Sequence, residues 1–158
     1  MESEALLDDV NWKILEELQN NARLSFTELG RRVGLTAPAV AERVRRLEDA
    51  GVIEGYRAEL NLEKLGLPLL ALIRVATGDG MCGQFADVAK GIPEVIECRR
   101  VTGGDSYVMK AAVTSVRHLE ALLDRLTRYG QTVTSLVLSS PVTHRTIVRP
   151  GVAGLSWP

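Results

Sequence analysis

The sequence predicts an α+β protein with a helical N-terminal domain and a C-terminal domain whose elements follow the order β-α-β-β-α-β. Three observations lead to this prediction. Residues 25–56 read as a helix, a glycine turn and a second, arginine-rich helix. After Pro68 the apolar residues change from helical spacing to continuous or alternating runs, which are typical of strands. A Gly-Gly-Asp turn at residues 103–105 lies between two such runs.

Two helices are predicted before the arginine-rich one. Asp8 or Asp9 is placed to cap the first helix, and Ser25 and Glu28 have the spacing of a capping box at the start of the second. Gly34 then supplies a residue that tolerates positive φ, which suits a sharp turn. The apolar residues of the first helix recur at helical spacing: Val10, Ile14, Leu15 and Leu18.

The third helix has a favourable N-cap in Thr36 and a proline, Pro38, in its first turn, where a missing N–H costs little. Its apolar stripe faces the core of the domain and consists of Val40, Val44 and Leu47. Gly51 ends the helix, and Val52–Leu60 is predicted to form a wing and exit strand. The whole is a winged helix-turn-helix, a module that lays one helix in the major groove of DNA.

The face opposite the apolar stripe is the predicted DNA-binding surface. Arg45 and Arg46 can reach phosphates or the O6/N7 edge of guanine. Arg43 lies nearer the stripe, which leaves two alternatives: a contact with DNA, or an ion pair inside the domain with Asp8, Asp9 or Glu28. The candidate DNA-binding residues are Thr36, Ala37, Pro38, Glu42, Arg43, Arg45 and Arg46.

Composition sets further expectations. The 158 residues include 19 Lys and Arg against 20 Asp and Glu, a net charge of −1, so positive charge must be concentrated locally and presented in two copies to bind DNA well. Two cysteines without C-x-x-C spacing indicate reduced thiols. The sequence has no apolar run of membrane-spanning length and no signal core, so we expect a soluble cytoplasmic protein without a membrane partner.

The C-terminal elements follow a ferredoxin-like order, with an antiparallel sheet and two helices on one of its faces. Runs such as LLALIRVA are apolar on both alternating sets of positions, so a second copy of the chain is expected to cover the other face, forming a homodimer. The predicted elements are strand Leu69–Ala76, helix Gly83–Gly91, strand Glu94–Thr102, strand Tyr107–Val113, helix Ser115–Tyr129 and strand Thr132–Ser139.

Three segments in this order and spacing resemble the Lrp/AsnC (feast/famine) family of transcription regulators: LDDVNWKILEELQNNARLSFTELGRRVGLTAPAVAERVRRLEDAGVIEGYRAELN, IPEVIECRRVTGGDSYVMK and TSLVLSSPV. The resemblance spans Leu7 to Val142. It implies an N-terminal winged helix-turn-helix that binds double-stranded DNA and a C-terminal ferredoxin-like ligand-sensing domain. Family members form dimers that often assemble into octamers, and many bind an amino acid between dimers.

The resemblance places the effector near the hairpin loop, with help from the last strand. Backbone N–H groups of Gly103 and Gly104 can form a nest for a carboxylate, and Asp105 can meet an ammonium group. Many family members carry the acid one residue later, where this chain has Ser106, so strand alternation points the acid elsewhere. A plain turn remains the alternative. The candidate effector residues are Gly103, Gly104, Asp105, Ser106, Tyr107, Thr132, Thr134 and Ser135.

The sequence leaves two rival functions. An enzyme or a free-standing metabolite-binding domain is disfavoured, because the sequence predicts no catalytic set, cofactor site or metal-ligand set. An architectural DNA-binding protein without an effector is disfavoured by the near-neutral charge. The expected boundaries are residues 1–60 for the DNA-binding domain, 61–68 for a linker and 69–142 for the dimerisation and effector domain. Residues 143–158, with Trp157, are expected to be a loosely held tail.

Overall fold

The computed structural model describes residues 6–78 and 80–150. They divide into two compact units. The N-terminal unit contains the described residues up to Ala58 together with those from Val142 onward, and the C-terminal unit is Glu59–Pro141. The described part of the tail therefore belongs to the N-terminal unit, whereas Trp157 lies outside the described residues. None of the helices in the described ranges is long and apolar enough to cross a membrane.

Three helices form the N-terminal unit: α1 (Asp9–Asn20), α2 (Phe26–Val33) and α3 (Ala37–Asp49). The Asp8 carboxylate caps α1 by accepting the Asn11 N–H at 2.7 Å. Gly34 follows α2 in the left-handed conformation, with φ of +76°, as its position in the turn requires. The apolar faces of the helices meet in one core made of Ile14, Leu18, Leu29, Val40, Val44 and Leu47.

The capping box at α2 is only half formed. Ser25 Oγ accepts the Glu28 N–H at 3.2 Å, but the Glu28 carboxylate accepts hydrogen bonds from Arg31 and Arg32 instead of reaching back to the cap. These charged donors bind a carboxylate more strongly than a neutral amide does, and they lower the pKa of Glu28 to about 2. Thr36 occupies the N-cap of α3 without a side-chain hydrogen bond.

The expected wing strand at Val52–Leu60 is absent from the described residues. The segment bends at residues 52–53 and then continues without regular structure. A strand forms only where its backbone N–H and C=O groups find partners on a neighbouring strand. The N–H groups of the first two residues of this segment are already engaged in other hydrogen bonds. Val52 N and Ile53 N both donate to Leu47 O, at 2.9 and 3.1 Å, and so close the end of α3.

The C-terminal unit confirms the predicted β-α-β-β-α-β order. Its elements are β1 (Leu69–Thr77), α4 (Cys82–Lys90), β2 (Val95–Arg100), β3 (Tyr107–Val113), α5 (Val116–Leu126) and β4 (Gly130–Leu136). The strands form one antiparallel sheet in the order β2-β3-β1-β4.

Both helices of this unit lie on the same face of the sheet. In β1, Ala71, Ile73 and Val75 are fully buried against α4 and α5, whereas the alternating residues Leu72 and Arg74 are exposed. Phe85 anchors α4 in this core, with its ring centroid 5.0 Å from that of Tyr107 and 5.9 Å from that of Tyr129. The other sheet face carries no element of the described chain, and we call it the open face.

Gly130 is required where β4 begins. A Cβ at this position would lie 2.1 Å from the Ala76 carbonyl oxygen on the paired strand β1, closer than any side chain tolerates. We expect Gly130→Ala to lower the free energy of unfolding by about 3 kcal/mol, because the sheet must shift to admit the methyl group. Chemical denaturation followed by circular dichroism measures this loss.

Gly83→Ala is the matched control for that substitution. Gly83 lies in α4, where an added Cβ meets no atom within 4 Å. Because alanine favours a helix over glycine by roughly 0.5–1 kcal/mol, the control should be neutral or stabilising. Equal stabilities for the two variants would show that β4 does not need a glycine at its start.

Candidate nucleic-acid interface and effector site

The exposed face of α3 presents two arginines to solvent. The side chains of Arg45 and Arg46 are 60% and 64% exposed. They lie opposite Val40, Val44 and Leu47, which are buried in the core. The sequence prediction of their orientation is therefore confirmed, and neither guanidinium group takes part in the packing of the unit.

Glu42 holds both arginines on this face. Its carboxylate accepts hydrogen bonds from Arg45 Nη2 and Arg46 Nε, each at 2.9 Å, and these bonds lower the pKa of Glu42. Arg45 also donates to Asp49 at 2.7 Å. In the described chain the two Nη atoms of Arg46 have no hydrogen-bond partner, so they remain available to an incoming acceptor.

The start of α3 lies on the same helix and offers a second kind of contact. Thr36 and Pro38 are exposed, and Ala37 is half-buried. The Thr36 hydroxyl makes no capping bond within its helix, so it can donate to an outside acceptor. A helix N-terminus carries unpaired N–H groups and a partial positive charge, which suits a DNA phosphate.

Of the two alternatives for Arg43, the structure shows the ion pair inside the domain. Its Nη1 lies 2.7 Å from Asp8 Oδ2 and 2.9 Å from Asn11 Oδ1. Partial burial raises the pKa of Asp8, but the Asn11 N–H and Arg43 outweigh this and hold it below its usual range. Asn11 is itself buried and donates from Nδ2 to Leu6 O at 2.6 Å. Sequence reasoning missed Asn11; its only signal is a polar residue beside the apolar stripe of α1.

The hairpin loop between β2 and β3 is open to solvent at its tip. Gly103 and Gly104 are exposed, and a Cβ on either would meet no atom within 4 Å. Gly103 has a φ of +110°, which favours glycine, and the Val101 N–H donates to Ser106 O at 3.0 Å to close the hairpin. Asp105 Oδ2 lies 3.9 Å from Nε of Arg74, which projects from β1.

The next two loop residues are engaged inside the unit. The Ser106 N–H donates to Val75 O at 2.8 Å, and Ser106 Oγ accepts from Thr77 N at 3.1 Å. Tyr107 is buried, with its hydroxyl donating to Cys82 O at 2.8 Å. The structure thus places Tyr107 in the core rather than at the loop surface, because strand alternation turns its ring toward α4.

The hydroxyl residues of β4 are divided between the two sheet faces. Directly paired residues of antiparallel strands share a face. Thr132 pairs with Val75 and Thr134 with Ile73, so both lie on the face covered by helices. Ser135 pairs with the exposed Leu72 and lies on the open face. The three hydroxyls predicted for one site are therefore not brought together in the described chain.

The open face carries a patch of apolar residues. Leu72 and Val133 are 43% and 45% exposed, although each lies in the middle of a strand. Val108 and Ala112 of β3 lie on the same face, as their pairing with β1 shows. Charged residues share the face: Arg74 on β1, Lys110 on β3, which pairs with Leu72, and Glu97 on β2, which pairs with Lys110. An exposed apolar patch rimmed by polar residues marks a surface for association.

Two family models match this chain: the AsnC-type helix-turn-helix domain over residues 7–48 and the Lrp/AsnC ligand binding domain over residues 70–147. The chain is similar to the HTH-type transcriptional regulator YezC of Bacillus subtilis, with 44% identity over 138 residues that cover 87% of this chain and 98% of that protein.

Solved structures show the same likeness. LrpC of Bacillus subtilis matches with a TM-score of 0.83 and 34% identity, covering 87% of this chain and 99% of that one. The Neisseria meningitidis transcriptional regulator NMB0573, solved as its L-Met complex, matches with a TM-score of 0.83 and 32% identity over 89% of this chain and 96% of that one. With its helix-turn-helix and its four-stranded domain both matched, the chain belongs to the Lrp/AsnC family of DNA-binding transcriptional regulators that carry a ligand-binding domain.

Proposed function

We propose that this regulator reads double-stranded DNA with the exposed face of α3, acts in the cytoplasm as a homodimer that assembles further to an octamer, and responds to a small amino acid. The observation that carries the DNA-binding proposal is the placement of Arg45 and Arg46, which point into solvent from a helix whose other face is buried. Thr36, Ala37 and Pro38 at the start of the same helix bring its backbone to the DNA.

Arg43 takes a supporting position in this proposal. It joins α3 to Asp8 and Asn11 at the start of α1, so it fixes the angle at which α3 is presented. Arg45 and Arg46 then make the direct contacts, to phosphates or to guanine in the major groove. Footprinting on genomic fragments, with and without a panel of the twenty amino acids, tests both the DNA site and the response. Protection without sequence preference would favour an architectural role.

Glu42 should limit the affinity for DNA. Its carboxylate holds Arg45 and Arg46 in ion pairs that phosphates must displace, and it lies on the face that approaches the negatively charged duplex. We expect Glu42→Gln to tighten binding to random-sequence DNA by roughly 0.5–1 kcal/mol while reducing the preference for the operator. Fluorescence anisotropy titrations on both DNAs measure this change.

Glu16→Gln is a control with the same loss of charge on another helix, α1, where Glu16 is also half-buried. A nonspecific effect of net charge would tighten binding equally in both variants. If Glu42→Gln binds random DNA no better than Glu16→Gln does, the ion pairs of Glu42 with Arg45 and Arg46 do not limit the affinity for DNA.

The hairpin loop is the proposed effector site. The N–H groups of Gly103 and Gly104 lie in an open, exposed turn that can receive a carboxylate. Asp105 supplies the acid for an ammonium group, which would take the place of Arg74 as its partner. Ser135 on the open face is the β4 hydroxyl that fits a site between associated sheets. An effector shifts the regulator only through different affinities for its states.

Gly103→Leu should abolish amino-acid binding. The left-handed φ of +110° strains any residue with a side chain, and a leucine would fill the turn that receives the carboxylate. Isothermal titration with the twenty amino acids should give heat with the wild type and none with the variant, whereas DNA binding without effector stays unchanged. Unchanged binding by Gly103→Leu would place the effector elsewhere.

The open face is the proposed dimer interface. Its exposed apolar residues lie on two neighbouring strands, β1 and β4, so a second copy can pack sheet against sheet. The near-neutral net charge of −1 also favours two DNA-reading units in one particle, since one unit alone gathers few phosphate contacts.

A further inference from the structure

The described part of the C-terminal tail is bound to α1. The Gln19 side chain makes two hydrogen bonds with the backbone of Ile147: its Nε2 donates to Ile147 O at 3.0 Å, and its Oε1 accepts the Ile147 N–H at 2.8 Å. Thr146 Oγ1 donates to Asn20 Oδ1 at 2.9 Å. Arg149 forms an ion pair with Asp9 near the other end of α1.

These contacts fix both the position and the direction of the tail. A side-chain amide that binds the N–H and the C=O of one residue has the bonding pattern of a neighbouring strand, and it cannot slide by one residue without losing both bonds. The contacts to Asn20, Gln19 and Asp9 occur in that order as the tail advances, so it runs antiparallel to α1.

An apolar cavity of about 420 Å³ adjoins the bound tail. Ile147 lies at its rim, with Trp12 and Leu15 of α1 and Val52, Ile53 and Tyr56 of the segment after α3 forming other parts of the wall. Ile147 is 70% exposed, so the hydrogen bonds of Gln19, rather than burial, hold the tail. Trp12 lies half-buried in the same wall and can report on the tail.

We propose that residues 146–149 are a docking segment that binds α1 and ties the DNA-binding unit to the C-terminal unit at a second point. The chain passes between the units once near Ala58 and once near Pro141. A unit held by one linker reorients freely, whereas a second attachment closes a ring of chain and removes many orientations. The docking segment therefore narrows the range of positions in which α3 meets DNA.

The contacts between residues 146–149 and α1 are weak enough to break and re-form. The hydrogen bonds are exposed, and the Arg149 and Asp9 side chains are 46% and 81% exposed, so salt and water compete with each contact. The docking segment can thus exist in bound and released forms in the full-length protein, and the released form gives the DNA-binding unit its wider range.

The test uses tryptophan fluorescence in full-length protein. Trp157→Phe leaves Trp12, in α1, as the sole tryptophan of the chain. In this background Gln19→Leu removes both hydrogen bonds to Ile147 and keeps a good helix former in place. Gln84→Leu makes the same substitution at an exposed position of α4, in the other unit, and serves as the control.

Hydrogen exchange of the Ile147 amide tests the docking. We expect the Ile147 amide to be protected in the background and in the control, and to exchange roughly tenfold faster or more in Gln19→Leu.

The Trp12 anisotropy decay tests whether the docking segment restrains the DNA-binding unit. Gln19→Leu, and a chain ended after Val142, should both gain amplitude in the nanosecond phase that reports domain rotation. An unprotected Ile147 amide in the background overturns the docking. Faster exchange in Gln19→Leu with an unchanged Trp12 decay overturns the restraint.

Discussion

Replacing Arg45 and Arg46 together with alanine is expected to weaken operator binding by about 2–6 kcal/mol, because each good arginine contact with a base contributes about 1–3 kcal/mol. The two side chains are exposed and take no part in the core, so the fold should persist. The substitution also leaves Glu42 and Asp49 without their cations on the face that approaches DNA, which adds repulsion to the lost contacts.

Titration of a fluorescent operator duplex at several salt concentrations measures the loss. The slope of log K against log salt should become shallower, since fewer counterions are released. Arg117→Ala with Arg128→Ala is the matched control: both are exposed, both lie in the C-terminal unit, and the net charge changes equally. A double variant of Arg45 and Arg46 that binds like this control would remove α3 from the DNA interface.

Local chemistry made the helices and turns predictable. Asp8, Ser25 and Gly34 act at helix ends within a few residues of the groups they satisfy, so their roles can be read from spacing alone. The order of strands and helices in the C-terminal unit was predictable for a similar reason: a glycine turn at Gly103 and alternating apolar runs restrict the chain to few topologies.

Features that depend on tertiary pairing were not predictable. Arg43 had two alternatives, DNA or an acidic residue of its own domain, and its contacts with Asp8 and Asn11 depend on how α1 and α3 pack. The register of β4 against β1 decides that Thr134 and Ser135 lie on opposite faces, and a shift of one residue would reverse this. Gln19 binds Ile147, which is 128 positions away, and no local sequence pattern predicts that hydrogen bond.

The predicted wing illustrates a third limit. Val52–Leu60 contains alternating apolar residues that favour a strand, but a strand forms only where another backbone pairs with it. Nothing in the described chain offers that edge, and the N–H groups of Val52 and Ile53 are already bonded to Leu47 O. Propensity was therefore a weaker guide here than the backbone hydrogen bonds that end α3.

Val133→Glu is expected to convert the regulator from a dimer or larger assembly to a monomer. Val133 lies on the open face, paired with Arg74 across β4 and β1, and it is 45% exposed in the single chain, so the carboxylate does not disturb the core. In a symmetric sheet-to-sheet dimer the same substitution enters the interface twice. Arg74 lies beside each new carboxylate, but burying an ion between two sheets costs several kcal/mol in desolvation, which one neighbouring guanidinium repays only in part.

Sedimentation velocity at micromolar concentration separates the outcomes. Val116→Glu is the matched control: it is the same change at an exposed position, 64% accessible, at the start of α5, away from the open face. A glutamate in the first turn of a helix is also tolerated well. We expect the control to sediment like the wild type and Val133→Glu to sediment as a folded monomer. A Val133→Glu protein that remains a dimer would mean that the chains associate through a surface other than the open face. The sheet-to-sheet proposal would then have to be withdrawn.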